Sequence, residues 1–100
     1  MKYALWLSQG GNRDGCASYF EGFVTTEAEA KVKIRELFPE TNRFGREWAS
    51  VSTSEEMTSI KGSGDATDPS DTGWCVAEYV VVPDHAYYDA HSNTVIEDEG

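Results

Sequence analysis

The order of apolar and polar positions predicts two strands at the start of the chain. Residues 2–8 and 16–24 are both β-prone, and their apolar side chains alternate between the two faces of an extended chain. In the second run, strict alternation places Phe20 and Phe23 on opposite faces. The stretch between the runs is rich in Gly, Asn and Asp, which is typical of a turn, so the pattern predicts an antiparallel hairpin.

The period of the pattern changes after Thr26, and an amphipathic helix is predicted over residues 26–38. Thr26 and Glu29 have the spacing of a capping box, in which the hydroxyl accepts an N–H left free by the first turn. Pro39 prevents the helix from continuing. The apolar stripe of this helix consists of Ala30, Ile34, Leu37 and Phe38.

The middle of the chain predicts shorter elements. Residues 46–52 are β-prone and predict a third strand. The Ser52-x-x-Glu55 spacing is a second capping-box match and predicts a short helix near 54–61. Residues 62–73 contain no large apolar side chain, so we expect an exposed, mobile loop.

The most strand-like run of the chain is 74–82, which is rich in Val and aromatic residues and predicts a central strand. Residues 84–91 fit either a helical turn or an extended loop, 94–96 fit a short edge strand, and 97–100 form an acidic tail. The elements predict one domain over residues 1–100, of the α+β class, with an antiparallel sheet of three to five strands and one main helix on one face.

Charge is distributed unevenly along the chain. There are 18 acidic and 8 basic residues, for a net charge of −10. Residues 1–50 carry seven of each, and residues 51–100 carry eleven acids with Lys61 as the one base. Such an uneven distribution of charge gives information about binding partners. The excess of acids over bases argues against direct binding to nucleic acid. The excess also fits a surface that is acidic for solubility, and this alternative stays open.

Composition excludes several classes of protein. The chain is 39% hydrophobic and 12% aromatic, which predicts a packed core. No apolar run approaches the roughly 20 residues of a membrane span, and the apolar stretch at the start of the chain is too short for a signal peptide. We therefore expect a cytoplasmic protein in which Cys16 and Cys75 are two buried thiols, since a disulfide would require their strands to be neighbours.

Three aspartates recur every third residue in the predicted loop, at Asp65, Asp68 and Asp71. Oxygen-rich loops of this kind bind Ca²⁺, but the spacing lacks the ligand positions of an EF-hand. The carboxylates also fit a mimic of a line of phosphates, although a spacing of about 10 Å along an extended chain is sparser than the ~3.4 Å of a DNA strand. We favour a solvated loop over a metal site and expect no cofactor.

Asp84, His85, Asp89 and His91 form the densest group of potential metal ligands and proton-transfer groups. Their spacing matches neither a helical His pair nor a zinc motif, so surface histidines are the preferred interpretation.

Tyr87 and Tyr88 lie between two of these acids, and Trp74 begins the central strand. Adjacent acids and aromatic rings suit an Arg-rich partner, because Arg pairs with carboxylates and stacks on rings. The alternative is that one tyrosine packs beneath the sheet and the other has no special role.

The acidic residues that give the second half its character are Asp65, Asp68, Asp71, Glu78, Asp84, Asp89, Glu97, Asp98 and Glu99. With the small size and the absence of a catalytic motif, they make the chain resemble small phage-encoded inhibitors, a group that includes anti-CRISPR proteins and other DNA mimics. The resemblance implies binding to one host protein, with carboxylates placed where a nucleic acid would lie.

The leading hypothesis is therefore a non-enzymatic inhibitor that covers a basic, nucleic-acid-binding surface, with a CRISPR surveillance complex as the expected partner. It would act as a monomer in the host cytoplasm, with carboxylates meeting the Lys and Arg that normally hold phosphates and aromatic rings serving as anchors. The predicted contact residues are Asp65, Asp68, Asp71, Trp74, Asp84, Tyr87, Tyr88, Asp89, Glu97, Asp98 and Glu99.

Two other hypotheses remain. Residues 2–38, with a strand–turn–strand followed by Thr26-x-x-Glu29 and an amphipathic helix, resemble the HicB-type antitoxin domain, which implies a regulatory partner protein, usually oligomeric. The third hypothesis is a small metal-dependent enzyme built on Asp84, His85, Asp89 and His91.

Overall fold

A computed structural model describes residues 1–11 and 15–98 of the chain. Within these residues the chain forms one helix and seven strands. The strands are β1 (Lys2–Gly10), β2 (Cys16–Val24), β3 (Ser50–Thr53), β4 (Ser59–Ser63), β5 (Trp74–Val82), β6 (Tyr87–Asp89) and β7 (Thr94–Ile96), and the helix is α1 (Glu27–Leu37).

The first five strands form one antiparallel sheet in the order β2-β1-β5-β4-β3, and β6 and β7 form a separate hairpin. Helix α1 packs on one face of the large sheet. The hairpin contributes Ala86 and Val95 to a second apolar cluster on the opposite face. The predicted α+β class, with one main helix on one face of an antiparallel sheet, is confirmed, and β5 is central as predicted.

The helix follows its sequence pattern closely. The Thr26 hydroxyl accepts a hydrogen bond from the Glu29 backbone N–H at 3.2 Å, so Thr26 is the N-cap. Ala30 and Ile34 are fully buried, and Leu37 and Phe38 pack against the same core. Burial of side chains such as Ile34 contributes roughly 1.5–3 kcal/mol each to the driving force for folding.

The β1–β2 hairpin contains a bulge that the alternation pattern does not reveal. Leu5 lies opposite Gly22 and Trp6 lies opposite Phe20, so the register shifts by one residue at this point. Because a slip of one residue moves side chains to the other face, Phe20 and Phe23 share a face, with ring centroids 4.9 Å apart. The prediction that they lie on opposite faces is wrong.

The helix predicted near 54–61 is also wrong, because the chain turns at Ser54 and returns as β4. The Ser54 hydroxyl accepts hydrogen bonds from the backbone N–H of Thr58 at 2.8 Å and of Ser59 at 3.0 Å. These bonds close a tight turn in which Met57 has a positive φ of 60°. Ile60 is buried on a strand instead of on a helix.

The third strand is shorter than predicted and begins at Ser50. Trp48 is buried before it, where its indole N–H donates to the Pro39 carbonyl at 3.0 Å and its ring stacks on Phe38. Gly62 of β4 lies under these rings, since a Cβ there would lie 2.6 Å from Trp48. Residues 62–73 are therefore not a uniformly exposed loop, because the segment begins in β4 and some of its residues are buried.

Residues 84–91 contain both a turn and a strand: the Ala86 N–H donates to the Pro83 carbonyl at 3.1 Å, and β6 follows this turn. Tyr87–Asp89 pairs with Thr94–Ile96, so 94–96 is a hairpin strand and not an edge of the large sheet. No helix among the described residues has the length and apolarity needed to cross a bilayer.

The two cysteines are free thiols on strands that flank β1. Cys75 of β5 is buried as predicted, whereas Cys16 of β2 is exposed, so the prediction of a buried thiol is wrong for Cys16. Burial raises the pKa of the Cys75 thiol. Because β1 lies between the two strands, the neighbouring-strand condition for a disulfide is not met.

Candidate functional site

Six of the eight acidic residues predicted as contacts lie in two groups at opposite ends of β5. The first group, which we call the loop-end acids, consists of Asp65, Asp68 and Asp71 and precedes Trp74. The second group, the hairpin-base acids, consists of Asp84, Glu97 and Asp98 and lies beyond Val82. A nine-residue strand separates the groups by about 26 Å, so they do not form one continuous acidic face.

Asp65 is a buried structural residue and not a surface contact. It is 2% exposed and accepts hydrogen bonds from the Thr67 hydroxyl at 2.7 Å and backbone N–H at 2.8 Å. Arg46 from the first half of the chain forms a salt bridge with it at 3.3 Å. The Thr67 bonds in particular hold the pKa of Asp65 below its ordinary value.

The other two loop-end acids differ in exposure. Asp68 is exposed, but it accepts bonds from the Ser70 hydroxyl at 2.6 Å and N–H at 3.0 Å, which lower its pKa. Asp71 is half-buried. Among residues 1–11 and 15–98, no group of three or more His, Cys, Asp and Glu side chains could hold a metal ion. The structure thus offers no support for a Ca²⁺ site in this loop.

The hairpin-base acids are all exposed. Asp84 lies 2.9 Å from the Met1 ammonium group, and this hydrogen bond lowers the pKa of the carboxyl. Glu97 lies at the same end, because its backbone carbonyl contacts the His85 ring Nε2 at 2.5 Å. Glu99, also predicted as a contact residue, lies outside the described residues.

The group formed by Asp84, His85, Asp89 and His91 is not assembled in the structure. Asp84 and His85 precede β6, whereas Asp89 is its last residue and His91 lies in the turn that follows. Asp89 closes this turn, because it accepts hydrogen bonds from the His91 N–H at 3.1 Å and the Ser92 hydroxyl at 2.8 Å. Its carboxylate therefore has a structural role.

Tyr88 fastens the hairpin to the large sheet. Its ring stacks on Phe20 with centroids 4.3 Å apart, and its hydroxyl donates to Asn93 at 2.6 Å. The Asn93 amide in turn donates to the Ser18 carbonyl of β2 at 3.0 Å. The alternative that one tyrosine packs beneath the sheet thus describes Tyr88, while Tyr87 is 54% exposed.

Tyr87 lies at the hairpin end that carries the exposed acids. It pairs with Ile96, the residue immediately before Glu97, and it follows Asp84 by three positions. Asp84, Tyr87, Glu97 and Asp98 therefore form one group of four exposed residues, which we call the hairpin-base patch. Glu78 is remote from it, since this half-buried residue of β5 lies opposite Trp6.

A rigid turn over residues 42–46 was not identified from the sequence. The buried Asn42 side chain accepts hydrogen bonds from the backbone N–H groups of Phe44 at 2.9 Å and Arg46 at 3.1 Å. The Phe44 ring is 53% exposed, and the guanidinium groups of Arg43 and Arg46 lie 4.8 and 5.8 Å from its centre. The Asn-x-x-Gly spacing was the available turn signal.

A cavity of about 520 Å³ opens beside this turn and the loop-end acids. Tyr19, Trp48 and Trp74 form aromatic walls, and Arg43 and Asp71 add opposite charges to the lining. Trp74 is therefore part of this cavity and lies at the other end of β5 from the hairpin-base patch. Comparison with known protein families, curated proteins and solved structures gives no match to this chain.

Proposed function

We propose that the protein is a non-enzymatic inhibitor that binds a basic, nucleic-acid-binding surface of a partner protein through its hairpin-base patch. The observation that carries the proposal is the grouping of three exposed carboxylates with an exposed tyrosine at one end of the β6–β7 hairpin. This end belongs to the half of the chain that holds the entire net charge of −10.

The chemistry of the patch suits arginine. A guanidinium group pairs with carboxylates through two parallel hydrogen bonds and stacks on aromatic rings, and Asp84, Glu97 and Tyr87 supply both kinds of contact. The Met1 ammonium pairs with Asp84 and Lys2 also acts on it, so two positive charges oppose three carboxylates and the patch keeps a net negative charge. A partner surface that normally holds phosphates presents the same arginines, and occupation of that surface excludes the nucleic acid.

The proposal narrows the set of predicted contact residues. Asp65, Asp89 and Tyr88 are engaged in holding the fold, and Trp74 lies in the cavity at the opposite end of β5. Asp68 and Asp71 belong to the loop end, where Arg43 and Arg46 are nearby. A CRISPR surveillance complex remains the proposed partner, on the resemblance in size and charge to phage-encoded inhibitors.

The test is displacement of labelled target DNA from a purified CRISPR surveillance complex. The double variant Asp84→Lys/Glu97→Lys reverses two charges of the patch and should weaken displacement at least about tenfold, which corresponds to about 1.4 kcal/mol. The control Glu36→Lys/Glu40→Lys makes the same change in net charge at two exposed positions of the helical side.

The control variant should displace the DNA with an effectiveness within about threefold of that of the unaltered protein, because long-range charge alone accounts for a small part of a specific contact. Equal weakening by the two double variants would show that the patch has no special role. A failure of the unaltered protein to displace the DNA would contradict the proposed partner.

A further inference from the structure

The two edges of the large sheet differ in how well they are protected from pairing with another chain. Exposed edge strands are usually blunted by bulges, charged side chains, proline or a covering segment. The β2 edge has such protection: a bulge beside Gly22, a charged residue at Glu21, and the Asn93 amide bonded to the Ser18 carbonyl.

Apart from its short length of four residues, the β3 edge lacks these devices. Its four residues, Ser50–Thr53, include neither charge nor proline, all are exposed, and Val51 is 56% exposed. Among the residues that the structure describes, no strand pairs with its outer side. Backbone N–H and C=O groups on that side are therefore available to an extended segment.

The hydrogen bond between the Ser54 N–H and the Ser59 carbonyl, 3.0 Å long, identifies the backbone groups of β3 that point away from the sheet. Opposed residues of two antiparallel strands alternate between pairs that exchange backbone hydrogen bonds and pairs that do not. In the register of β3 and β4, the hydrogen-bonded pairs are therefore Ser52 with Lys61 and Ser50 with Ser63. The N–H and C=O groups of Val51 and Thr53 consequently point away from the sheet.

The charge around this edge indicates what kind of segment fits. Glu47 precedes β3 and Glu55 and Glu56 follow it, all three are exposed, and no base occurs between Arg46 and Lys61. Arg46 is engaged with Asp65, and Lys61 lies on the inner neighbour β4. Lys31 of α1 donates a hydrogen bond to the Glu56 carbonyl and partly compensates the Glu56 carboxylate. The edge is thus a neutral strand with carboxylates at both ends.

We propose that the outer edge of β3 binds an extended basic segment of a partner protein as a sixth strand of the sheet. Main-chain bonds to Val51 and Thr53 hold the segment, an apolar side chain packs beside Val51, and lysines or arginines meet the glutamates at the ends. This surface is separate from the hairpin-base patch and does not depend on it.

The test uses an eight-residue peptide of alternating valine and lysine as the probe, with amide hydrogen exchange of the full chain followed by NMR. The peptide should slow exchange at Val51 and Thr53 at least about fivefold, because these N–H groups become hydrogen-bonded. Amides of the β2 edge serve as internal controls and should not change.

Two matched peptides and one variant complete the experiment. A peptide of alternating valine and glutamate, and the lysine peptide with methylated backbone nitrogens, should both fail to slow exchange. Glu55→Gln/Glu56→Gln should weaken the effect of the lysine peptide, whereas Asp84→Lys/Glu97→Lys should leave it unchanged, so the two proposals fail independently.

Three results would overturn the inference. The first is no slowing at Val51 and Thr53 at saturating peptide. The second is equal slowing by the glutamate peptide. The third is slowing without peptide that grows with protein concentration, because a second copy of the chain would then occupy the edge.

Discussion

Asp65 shows how one buried carboxylate connects two loops of this protein. Its oxygens accept hydrogen bonds from Thr67 within its own loop, and its salt bridge to Arg46 reaches the turn that carries Phe44. Because the ionised form makes these bonds, the folded state lowers the pKa of Asp65 below its value in the unfolded chain. The contribution of this group to stability is therefore complete above the ordinary Asp pKa of about 3.9 and is lost as the pH falls through the lower folded value.

The substitution Asp65→Asn should accordingly destabilise the protein at neutral pH and less in acid, because part of the contribution is already lost below the ordinary pKa. The measurement is the urea midpoint of unfolding at about pH 7 and about pH 3, above and below the ordinary pKa. Asp98→Asn, at an exposed position, is the control and should change neither midpoint appreciably. If the urea midpoints of Asp65→Asn and the unaltered protein differ by the same amount at both pH values, the ionised carboxylate does not have the stabilising role assigned to it.

At the scale of elements, the β6–β7 hairpin is attached to the large sheet by a small number of contacts. Tyr88 stacks on Phe20 and also meets Trp6 edge-on at 6.2 Å, while Ala86 and Val95 complete the apolar contact. The hairpin is only three residues per strand, and a two-stranded hairpin is marginally stable alone in water. Its order therefore depends on this packing.

We expect Tyr88→Ala to lower the free energy of unfolding by about 2 kcal/mol. This is less than the roughly 3–5 kcal/mol lost with a fully buried aromatic residue, because the Tyr88 ring is half-buried. The neighbouring Tyr87→Ala is a matched control and should stay within about 0.5 kcal/mol, since that ring is exposed. Denaturant unfolding measures both. Similar losses for the two variants would mean that stacking on the sheet does not hold the hairpin.

For the whole molecule, the decisive quantities are the net charge of −10 and the local balance of charges at each end of β5. At the loop end, Arg43 and Arg46 lie among the acids, so local charges partly cancel. At the hairpin base, the Met1 ammonium and Lys2 oppose the three carboxylates of the patch. Binding through the hairpin base should thus be more sensitive to electrostatics than any contact at the loop end.

This sensitivity should appear as a salt dependence of binding to the partner complex. Raising NaCl from about 0.05 M to about 0.5 M shortens the screening length from roughly 14 Å to 4 Å, and we expect the Kd to rise at least about tenfold. The Asp84→Lys/Glu97→Lys variant should show a flatter dependence. Binding that is insensitive to salt would contradict an electrostatic mechanism.

Local patterns determined several elements of this protein. The capping threonine, the apolar stripe and Pro39 delimit α1, and the Val-rich run of β5 forms the central strand. These features depend on a few neighbouring residues, so periodicity is enough to predict them. Ser54 shows the limit of such signals, because the same hydroxyl acceptor serves a helix cap or a tight turn.

The amino-acid order by itself determined the α+β class, the main helix, the central strand and the accumulation of acids in the second half. Only the tertiary structure decided where those acids lie: Asp65 in the interior, Asp89 in a turn, and Asp84 with Glu97 at the hairpin base. The bulge beside Gly22 and the exposed edge of β3 were likewise decided by pairing between distant strands. The physical reason is that secondary structure follows from short-range periodicity, whereas side-chain direction and burial depend on contacts between residues far apart in the chain.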